Sequence, residues 1–73
     1  MDPGEHAMAE HMLSAERRME DLAWVRDLAR RLAADEHTAE DVAQDTLIAA
    51  WASERRGGRP GRAWLVGAVR NFL

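Results

Sequence analysis

Hydrophobic residues recur every three or four positions in three stretches of the chain, which predicts three one-sided helices. We expect these helices over about 14–34, 39–54 and 62–73. Their apolar stripes are, in chain order, Met19, Leu22, Val25, Leu28, Ala29 and Leu32; Val42, Ala43, Thr46, Leu47, Ala50 and Trp51; and Trp64, Leu65, Ala68, Val69 and Phe72. Alanine, the strongest helix former, occurs 14 times. The pattern predicts an all-α fold, a small three-helix domain with or without a short extra N-terminal helix.

Local signals suggest where these helices begin and end. Residues 1–13 are polar and small, so we predict a flexible segment there and a helical domain over 14–73. Ser14 and Thr38 are the candidate N-caps of the first two helices. Residues 55–61 hold three glycines and a proline, which predicts a loop. The third stretch stops within its apolar stripe without a helix-ending residue, so we expect it to belong to a longer protein.

The charges are divided unevenly between the two ends of the chain. The 73 residues carry a net charge of −3. Residues 1–54 hold five arginines and all 13 acidic residues, which gives −8, whereas residues 55–73 hold five arginines and no acid, which gives +5. Such an asymmetry predicts an anionic partner for the C-terminal end alone.

Length and composition exclude several classes of protein. A chain of 73 residues forms at most one domain, and one of marginal stability. It has no cysteine, which rules out disulfides and thiolate chemistry. The N-terminus lacks the features of a signal peptide, and no stretch approaches the ~20 apolar residues of a membrane span. We therefore expect a cytoplasmic protein without a membrane partner.

Nothing in the sequence indicates catalysis. His6, His11 and His37 are the only obvious candidates for a base or a metal ligand, and their spacing does not place them on one helical face. Ser14 and Ser53 have no arrangement of histidine and acid that would activate them. We predict that the chain is not an enzyme and that it holds no metal and no cofactor.

An acidic strip is predicted on the second helix. Asp41, Gln44, Asp45 and Ile48 are spaced three or four apart and so share one face, opposite the apolar stripe. This face is either a solvated surface or a contact patch for a basic partner, in which the isoleucine supplies apolar contact and the acids supply registry.

The basic end combines arginines with an aromatic ring and an amide. Its candidate nucleic-acid contacts are Arg55, Arg56, Arg59, Arg62, Trp64, Arg70 and Asn71. Arginines bind phosphates, an indole stacks on a base, and an amide bonds to a base edge. The alternative is a solubilising loop with Trp64 in the core. Because Trp64 and Leu65 are adjacent, they cannot both point fully inward.

Three blocks of sequence resemble a known family. Residues 39–51, AEDVAQDTLIAAW, resemble the A-E-D-hydrophobic-x-Q-[DE]-T-hydrophobic-hydrophobic-x-A-W signature of bacterial sigma factors, in the second conserved region of the extracytoplasmic-function type. Residues 62–65, RAWL, and 69–71, VRN, match two further patterns of that family, and 29–32, ARRL, falls where its first helix carries similar residues. The 55–61 loop departs from the family: it is shorter, richer in glycine, and lacks the usual phenylalanine and serine.

The resemblance implies two partners. One is the pair of clamp helices in the largest subunit of RNA polymerase, bound through Asp41, Gln44 and Asp45, to which the face geometry adds Ile48. The other is the non-template strand of the promoter minus-ten element, held as it melts with a base flipped out. That role would fall to the loop and third helix, namely to Arg55, Arg56, Arg59, Arg62, Trp64, Arg70 and Asn71.

Two other functions stay open from the sequence. The chain could be a helical module that binds a partner protein, such as an inhibitory anti-sigma factor, and never touches DNA. It could also form a homodimer through exposed apolar residues of the third helix, for which Leu65, Val69, Phe72 and Leu73 are the candidates.

Overall fold

A computed structural model describes the backbone of residues 3–73, and their side chains except those of residues 3, 5–8, 10, 11 and 14. Three helices follow one another: α1 over Pro3–Leu32, α2 over Glu36–Gly57 and α3 over Arg62–Phe72. The predicted all-α, three-helix architecture is confirmed. None of the described helices is both long enough and apolar enough to cross a membrane.

The first helix is longer than its hydrophobic stripe. It begins at Pro3 and runs through Ser14 without a break, so the predicted start near Ser14 is wrong, whereas its end at Leu32 is close to the predicted end near residue 34. The residues before Ser14 continue α1 and do not form a separate short helix. Whether segment 1–13 is flexible in solution stays a prediction.

Asp35 caps the second helix. Its Oδ1 accepts a hydrogen bond of 2.7 Å from the backbone N–H of Thr38, and its Oδ2 accepts one of 3.1 Å from the Thr38 hydroxyl. These bonds, the backbone one first, hold the pKa of Asp35 below its usual value because they stabilise the carboxylate. The predicted cap at Thr38 is therefore wrong: Thr38 lies in the first turn and completes the cap that Asp35 provides.

The second helix ends at a pair of glycines. Gly57 and Gly58 have φ of 139° and 152°, a region that side chains with a Cβ rarely adopt. The helix therefore reaches Gly57, beyond the predicted end at 54, and the connection shrinks to 58–61, which we call the α2–α3 loop. Arg55 and Arg56, predicted in a loop, lie in the last helical turn. The third helix begins at Arg62 as predicted.

All three helices contribute to one small core. Its members are Val25 and Ala29 of α1, Ala39, Val42, Ala43, Thr46, Leu47 and Ala50 of α2, and Leu65 and Val69 of α3. The Thr46 hydroxyl is fully buried and has no hydrogen-bond partner among the described residues. Leu65 is 1% exposed and Trp64 is 41% exposed, so only one of the two neighbours points inward, as predicted.

Five residues predicted on the apolar stripes are exposed instead. They are Met19, Leu32, Trp51, Trp64 and Phe72. Leu32 is the last residue of α1, and Trp51 and Phe72 lie at the edges of their stripes. Since Leu65 and Val69 are buried in the core, they are not available for the homodimer contact that the sequence suggested. Phe72 and Leu73 remain exposed.

Ion pairs join the two long helices near both ends of their contact. Arg30 of α1 lies 3.2 Å from Glu36 and 3.6 Å from Glu40 of α2. At the other end, Arg18 lies 3.4 Å from Glu54. Exposed pairs of this kind contribute little to stability, about 0–1 kcal/mol each, but they favour one antiparallel register of α1 against α2.

Candidate functional site

The acidic strip predicted on α2 is present and open to solvent. Asp41, Gln44, Asp45 and Ile48, which we call the α2 strip, are all exposed, and Ile48 is 54% exposed. The Asp41 carboxylate lies 3.5 Å from His37 Nε2, and Asp45 forms no ion pair with any described residue. The strip therefore offers one apolar and three polar side chains to a partner.

A groove between α1 and α2 adjoins this strip. It has a volume of about 480 Å³ and is lined by Leu22 and Arg26 of α1 and by Glu40, Ala43, Gln44, Leu47, Ile48 and Trp51 of α2. Arg26 and Glu40 form an ion pair of 3.8 Å at its edge. Gln44 and Ile48 belong to both the strip and the groove, so the two form one continuous surface.

Two residues of the groove escaped the sequence reasoning. Trp51 and Leu22 were assigned to inward-facing stripes, but Trp51 is exposed and Leu22 half-buried. A signal for Trp51 was present: it follows Gln44 at i+7 and Ile48 at i+3, the spacings that place residues on the same side of a helix. Leu22 had no such signal, because it depends on how α1 packs against α2.

The two arginines at the end of α2 are exposed. The Arg56 Nε donates a hydrogen bond of 3.4 Å to the Ala52 carbonyl, one turn back in the same helix. Arg55 lines a shallow depression with Arg18, Trp51 and Glu54. Neither arginine pairs with an acidic residue in the described part of the chain, so both are available to an anion.

Arg59, by contrast, is bound to α1. Its Nη2 and Nε lie 2.6 Å and 3.2 Å from the same oxygen of Asp21, Oδ2. The Nη2 also donates a hydrogen bond of 3.1 Å to the backbone carbonyl of Arg17. The side chains of Arg59 and Asp21 are 33% and 21% exposed. The cation predicted to meet DNA is thus already paired within the domain.

Arg62 also contacts α1. Its guanidinium carbon lies 4.9 Å from the centroid of the Trp24 ring, a cation–π contact. Arg62 is exposed at the first position of α3, and the preceding Gly61 offers no side-chain cap to that helix. Both arginines that flank Pro60 and Gly61 are therefore held against one helix.

Trp64 and Asn71 come together on α3. With Ala49 of α2 and with Gly67, Ala68 and Phe72, they line an open depression of about 520 Å³. It joins two aromatic rings, an amide and a patch of small residues, which leave room for a flat group. Arg70 is exposed in the last turn of α3 but does not line the depression.

The structure adds two cations that the sequence reasoning did not select. Arg17 and Arg18 of α1 line a further depression with Glu54 and Arg59. They lie far from the basic end in sequence, and only the antiparallel packing of α1 on α2 brings them near it. The charged region at this end of the domain therefore includes α1.

No metal site is formed by the described residues. His37 is exposed, and the described residues contain no group of three or more side chains able to hold a metal. His6, His11 and Ser14 have side chains outside the described set.

Comparison with known proteins gives one family. The model of the family described as Sigma-70 region 2 matches residues 19–73. The chain is 46% identical over 48 residues to the "ECF RNA polymerase sigma factor SigL" of Mycobacterium tuberculosis, in strains Erdman, CDC 1551 and H37Rv. This match covers 62% of the chain but only 27% of the relative. No solved structure matches. The three blocks of residues, the three-helix fold and the family match agree: the chain belongs to the sigma-70 region 2 family and is similar to sigma factors of the extracytoplasmic-function type.

Proposed function

We propose that this domain acts in transcription initiation, by binding core RNA polymerase through α2 and the promoter minus-ten element through α3. The observation that carries the proposal is the exposed α2 strip, continuous with the apolar groove beside it. The relatives are named RNA polymerase sigma factors, which supports the same role for this chain. The family is one of transcription factors and not of enzymes.

The α2 surface suits a partner helix that is basic and partly apolar. The groove offers Leu22, Leu47 and Trp51 to apolar side chains, while Asp41 and Asp45 offer negative charge next to it. Apolar contact in a groove supplies affinity, and complementary charge supplies registry and speeds association. The clamp helices of the polymerase largest subunit, implied by the resemblance, are the partner we propose.

A charge reversal in the strip tests polymerase binding. Asp45 is exposed and unpaired among the described residues, so Asp45→Arg removes no internal contact but places a cation against a basic partner. We expect binding to core RNA polymerase to weaken at least about 100-fold, since like charges across an interface cost several kcal/mol. Fluorescence titration measures the affinity, and thermal melting should be unchanged.

The matched control is Glu16→Arg, the same charge reversal at an exposed site on α1 away from the strip. It should leave polymerase binding within about twofold, because rim or remote charges contribute little. Equal losses in the two variants would show that only net charge matters and would remove the α2 strip from the interface.

The α3 depression suits an unstacked base. Trp64 and Phe72 can stack on its faces, and the Asn71 amide can donate and accept at its edge. Arg55, Arg56 and Arg70 are exposed and can meet the flanking phosphates. Flipping a base costs a few kcal/mol, which stacking and polar contacts of this kind can offset.

Titration of a single-stranded minus-ten non-template oligonucleotide tests this surface. We expect binding that weakens with log salt, with a slope of about −0.7 per phosphate contact. Asn71→Ala should reduce the preference for the minus-ten sequence over a scrambled oligonucleotide of equal length, because an amide reads base edges and not phosphates. No binding by the wild-type chain even at low salt would refute the DNA role and leave the polymerase role intact.

A protein-interaction module without DNA binding is the second candidate. The observation that favours it is the groove with its exposed tryptophan, which fits an amphipathic helix from any partner, including an anti-sigma factor. The two functions differ in salt dependence: binding to phosphates falls steeply with salt, whereas binding in the groove, which also buries apolar surface, depends on salt less steeply.

A further inference from the structure

We infer that Asp21 and Trp24 of α1 are positioning residues for the DNA-facing surface, and that they act by holding Arg59 and Arg62 at the two ends of the α2–α3 loop. The inference rests on the proposed function of α3 in binding the minus-ten element. Two residues of the acidic part of the chain then act at its basic end. Arg59 and Arg62, predicted as DNA contacts, serve as anchors of the loop.

The loop has little internal support. It follows Gly57 and begins with Gly58, both with positive φ, and Gly61, which precedes α3, makes no side-chain cap. A Cβ added at Gly57, Gly58 or Gly61 would meet nothing within 4 Å, so no packing against neighbours restricts the backbone there. Glycine is the residue with the greatest conformational freedom to lose, and within the loop only the ring of Pro60 restricts φ, so contacts outside the loop are needed to fix its shape.

Asp21 supplies the first of these contacts. Two nitrogens of the Arg59 guanidinium point at one carboxylate oxygen, and Nη2 is shared with the Arg17 carbonyl on the preceding turn of α1. Charge-assisted hydrogen bonds are about twice as strong as neutral ones. Because these side chains are 33% and 21% exposed, and the arginines of the pairs between α1 and α2 are about half exposed, this pair is the less screened by salt.

Trp24 supplies the second contact from the same helical face. It follows Asp21 at i+3, so the carboxylate and the indole lie one above the other on α1. Arg62 lies over the ring at 4.9 Å. The residues between the two anchors, Pro60 and Gly61, therefore span a fixed distance, and the start of α3 is set relative to α1.

The arrangement alters the charge available to DNA. Arg59 is neutralised by Asp21, whereas Arg55 and Arg56 pair with no acid among the described residues. If Arg59 is an anchor, it adds nothing to the salt dependence of DNA binding. If Arg59 is instead a phosphate ligand restrained by Asp21, removing the Asp21 charge should tighten binding. It should also steepen the plot of log affinity against log salt concentration by about 0.7.

The substitution Asp21→Asn tests the inference, since it keeps the shape of the side chain and removes its charge. We expect faster backbone motion at the amides of Gly58 and Gly61, measured by ¹⁵N relaxation of the 73-residue chain without DNA. We also expect about threefold to tenfold weaker binding of the minus-ten oligonucleotide, the cost of ordering one or two side chains on binding, with an unchanged salt slope.

Glu20→Gln is the matched control, because Glu20 is the exposed neighbour of Asp21, loses the same charge and makes no ion pair within the described residues. It should change neither the relaxation nor the affinity. A second variant, Arg59→Lys, keeps the positive charge but not the paired geometry. We expect it to behave like Asp21→Asn, whereas a phosphate ligand would tolerate lysine.

Three results would overturn the inference: tighter DNA binding by Asp21→Asn with a steeper salt slope, unchanged relaxation at both glycines, or wild-type affinity in Arg59→Lys. A thermal melt of each variant separates loop effects from unfolding. If the wild-type chain binds no oligonucleotide, the proposed function of α3 fails, and the relaxation of the two glycines then decides the anchoring role alone.

Discussion

The α2 strip and the basic end differ in how their charges are used. All four residues of the strip remain together and exposed, and among the described residues only Asp41 has a close ionisable partner, the imidazole of His37. The seven residues predicted at the basic end are divided: two are held by α1, two share a depression, and three are exposed arginines outside it. Whether a charged side chain is free to bind a partner therefore depends more on where it lies in the fold than on the sign of its charge.

The physical reason lies in the range of the interactions. Which residues share a helical face depends on a periodicity that repeats within four residues. Which acid pairs with a loop arginine depends on packing between segments far apart in sequence: Arg59 and Asp21 are separated by 38 residues. A contact of that range is invisible to periodicity and appears only when the helices are placed together.

The largest effect is expected from a substitution in the core, because unfolding the domain removes both the α2 strip and the α3 depression. Leu65 is 1% exposed in the core that the three helices share. Leu65→Ala should destabilise the domain by about 2–5 kcal/mol, through lost burial and the cavity left behind, which is a large share of the stability of so small a domain. Urea denaturation followed by circular dichroism measures it.

The neighbouring Trp64→Ala is the natural control, since that ring is 41% exposed and its loss should cost far less stability. If Leu65→Ala melted like the wild-type chain, the two surfaces would not share a core, and the comparison between them would lose its structural basis.

A pair of tryptophan substitutions should separate the two surfaces. Trp51 and Trp64 are equally exposed, at 41%, but one lines the groove and the other the α3 depression. Trp64→Ala should weaken oligonucleotide binding by about 1–3 kcal/mol, the value of one base–aromatic stack, and leave polymerase binding unchanged. Trp51→Ala should show the opposite pattern.

Titrating each variant with core RNA polymerase and with the oligonucleotide gives four affinities, which test whether the two surfaces bind separately. Each variant serves as the control for the other. Comparable losses for both partners in both variants would mean that the two surfaces do not bind independently.

A smaller change in stability, of opposite sign, is expected from a substitution in the buried face of α2. Thr46 is fully buried and its hydroxyl has no described partner, so Thr46→Val should stabilise the domain by about 1 kcal/mol and raise the melting temperature by about 4–8 °C. Both binding activities should persist, because the side chain reaches neither surface.

Thr38→Val provides the comparison, since its hydroxyl donates to Asp35 and its removal should destabilise. Calorimetry distinguishes the two signs. A loss of stability in Thr46→Val would show that the buried hydroxyl does have a partner in solution.

The smallest effect is a dependence on pH at the start of α2. The folded-state pKa of Asp35 is lowered by the hydrogen bonds from Thr38, whereas in the unfolded chain it keeps its usual value of about 4. The stabilisation from this cap is therefore complete above that value and is lost as pH falls through the lowered folded pKa.

Asp35→Asn cannot titrate and serves as the reference. The difference in melting temperature between wild type and Asp35→Asn should be constant from neutral pH to about pH 5 and should shrink below about pH 4. A difference that grows on acidification would contradict the direction assigned to this pKa.

The helices and the α2 strip could be predicted from the sequence because each depends on the spacing of residues that are close together along the chain. The boundaries of α2 could not: its cap lies at Asp35 because the carboxylate reaches the Thr38 N–H, and its end lies at Gly57 because two glycines adopt positive φ. A capping signal at Thr38 and a glycine-rich stretch were visible, but each is compatible with more than one start or stop. Sequence alone could not place Trp51 and Leu22 across one groove, since that requires the packing of α1.

The contacts of α1 with both the groove and the α2–α3 loop have a mechanical consequence. Leu22 lines the groove proposed for the polymerase, while its neighbour Asp21 holds the loop beside the proposed DNA surface. A helix moves as a rigid body over so short a span, so a partner that displaces Leu22 also displaces Asp21. Thermodynamic linkage then requires the effect to be reciprocal. The factor by which binding in the groove changes the affinity for a DNA strand is also the factor by which that strand changes the affinity of the groove for its partner.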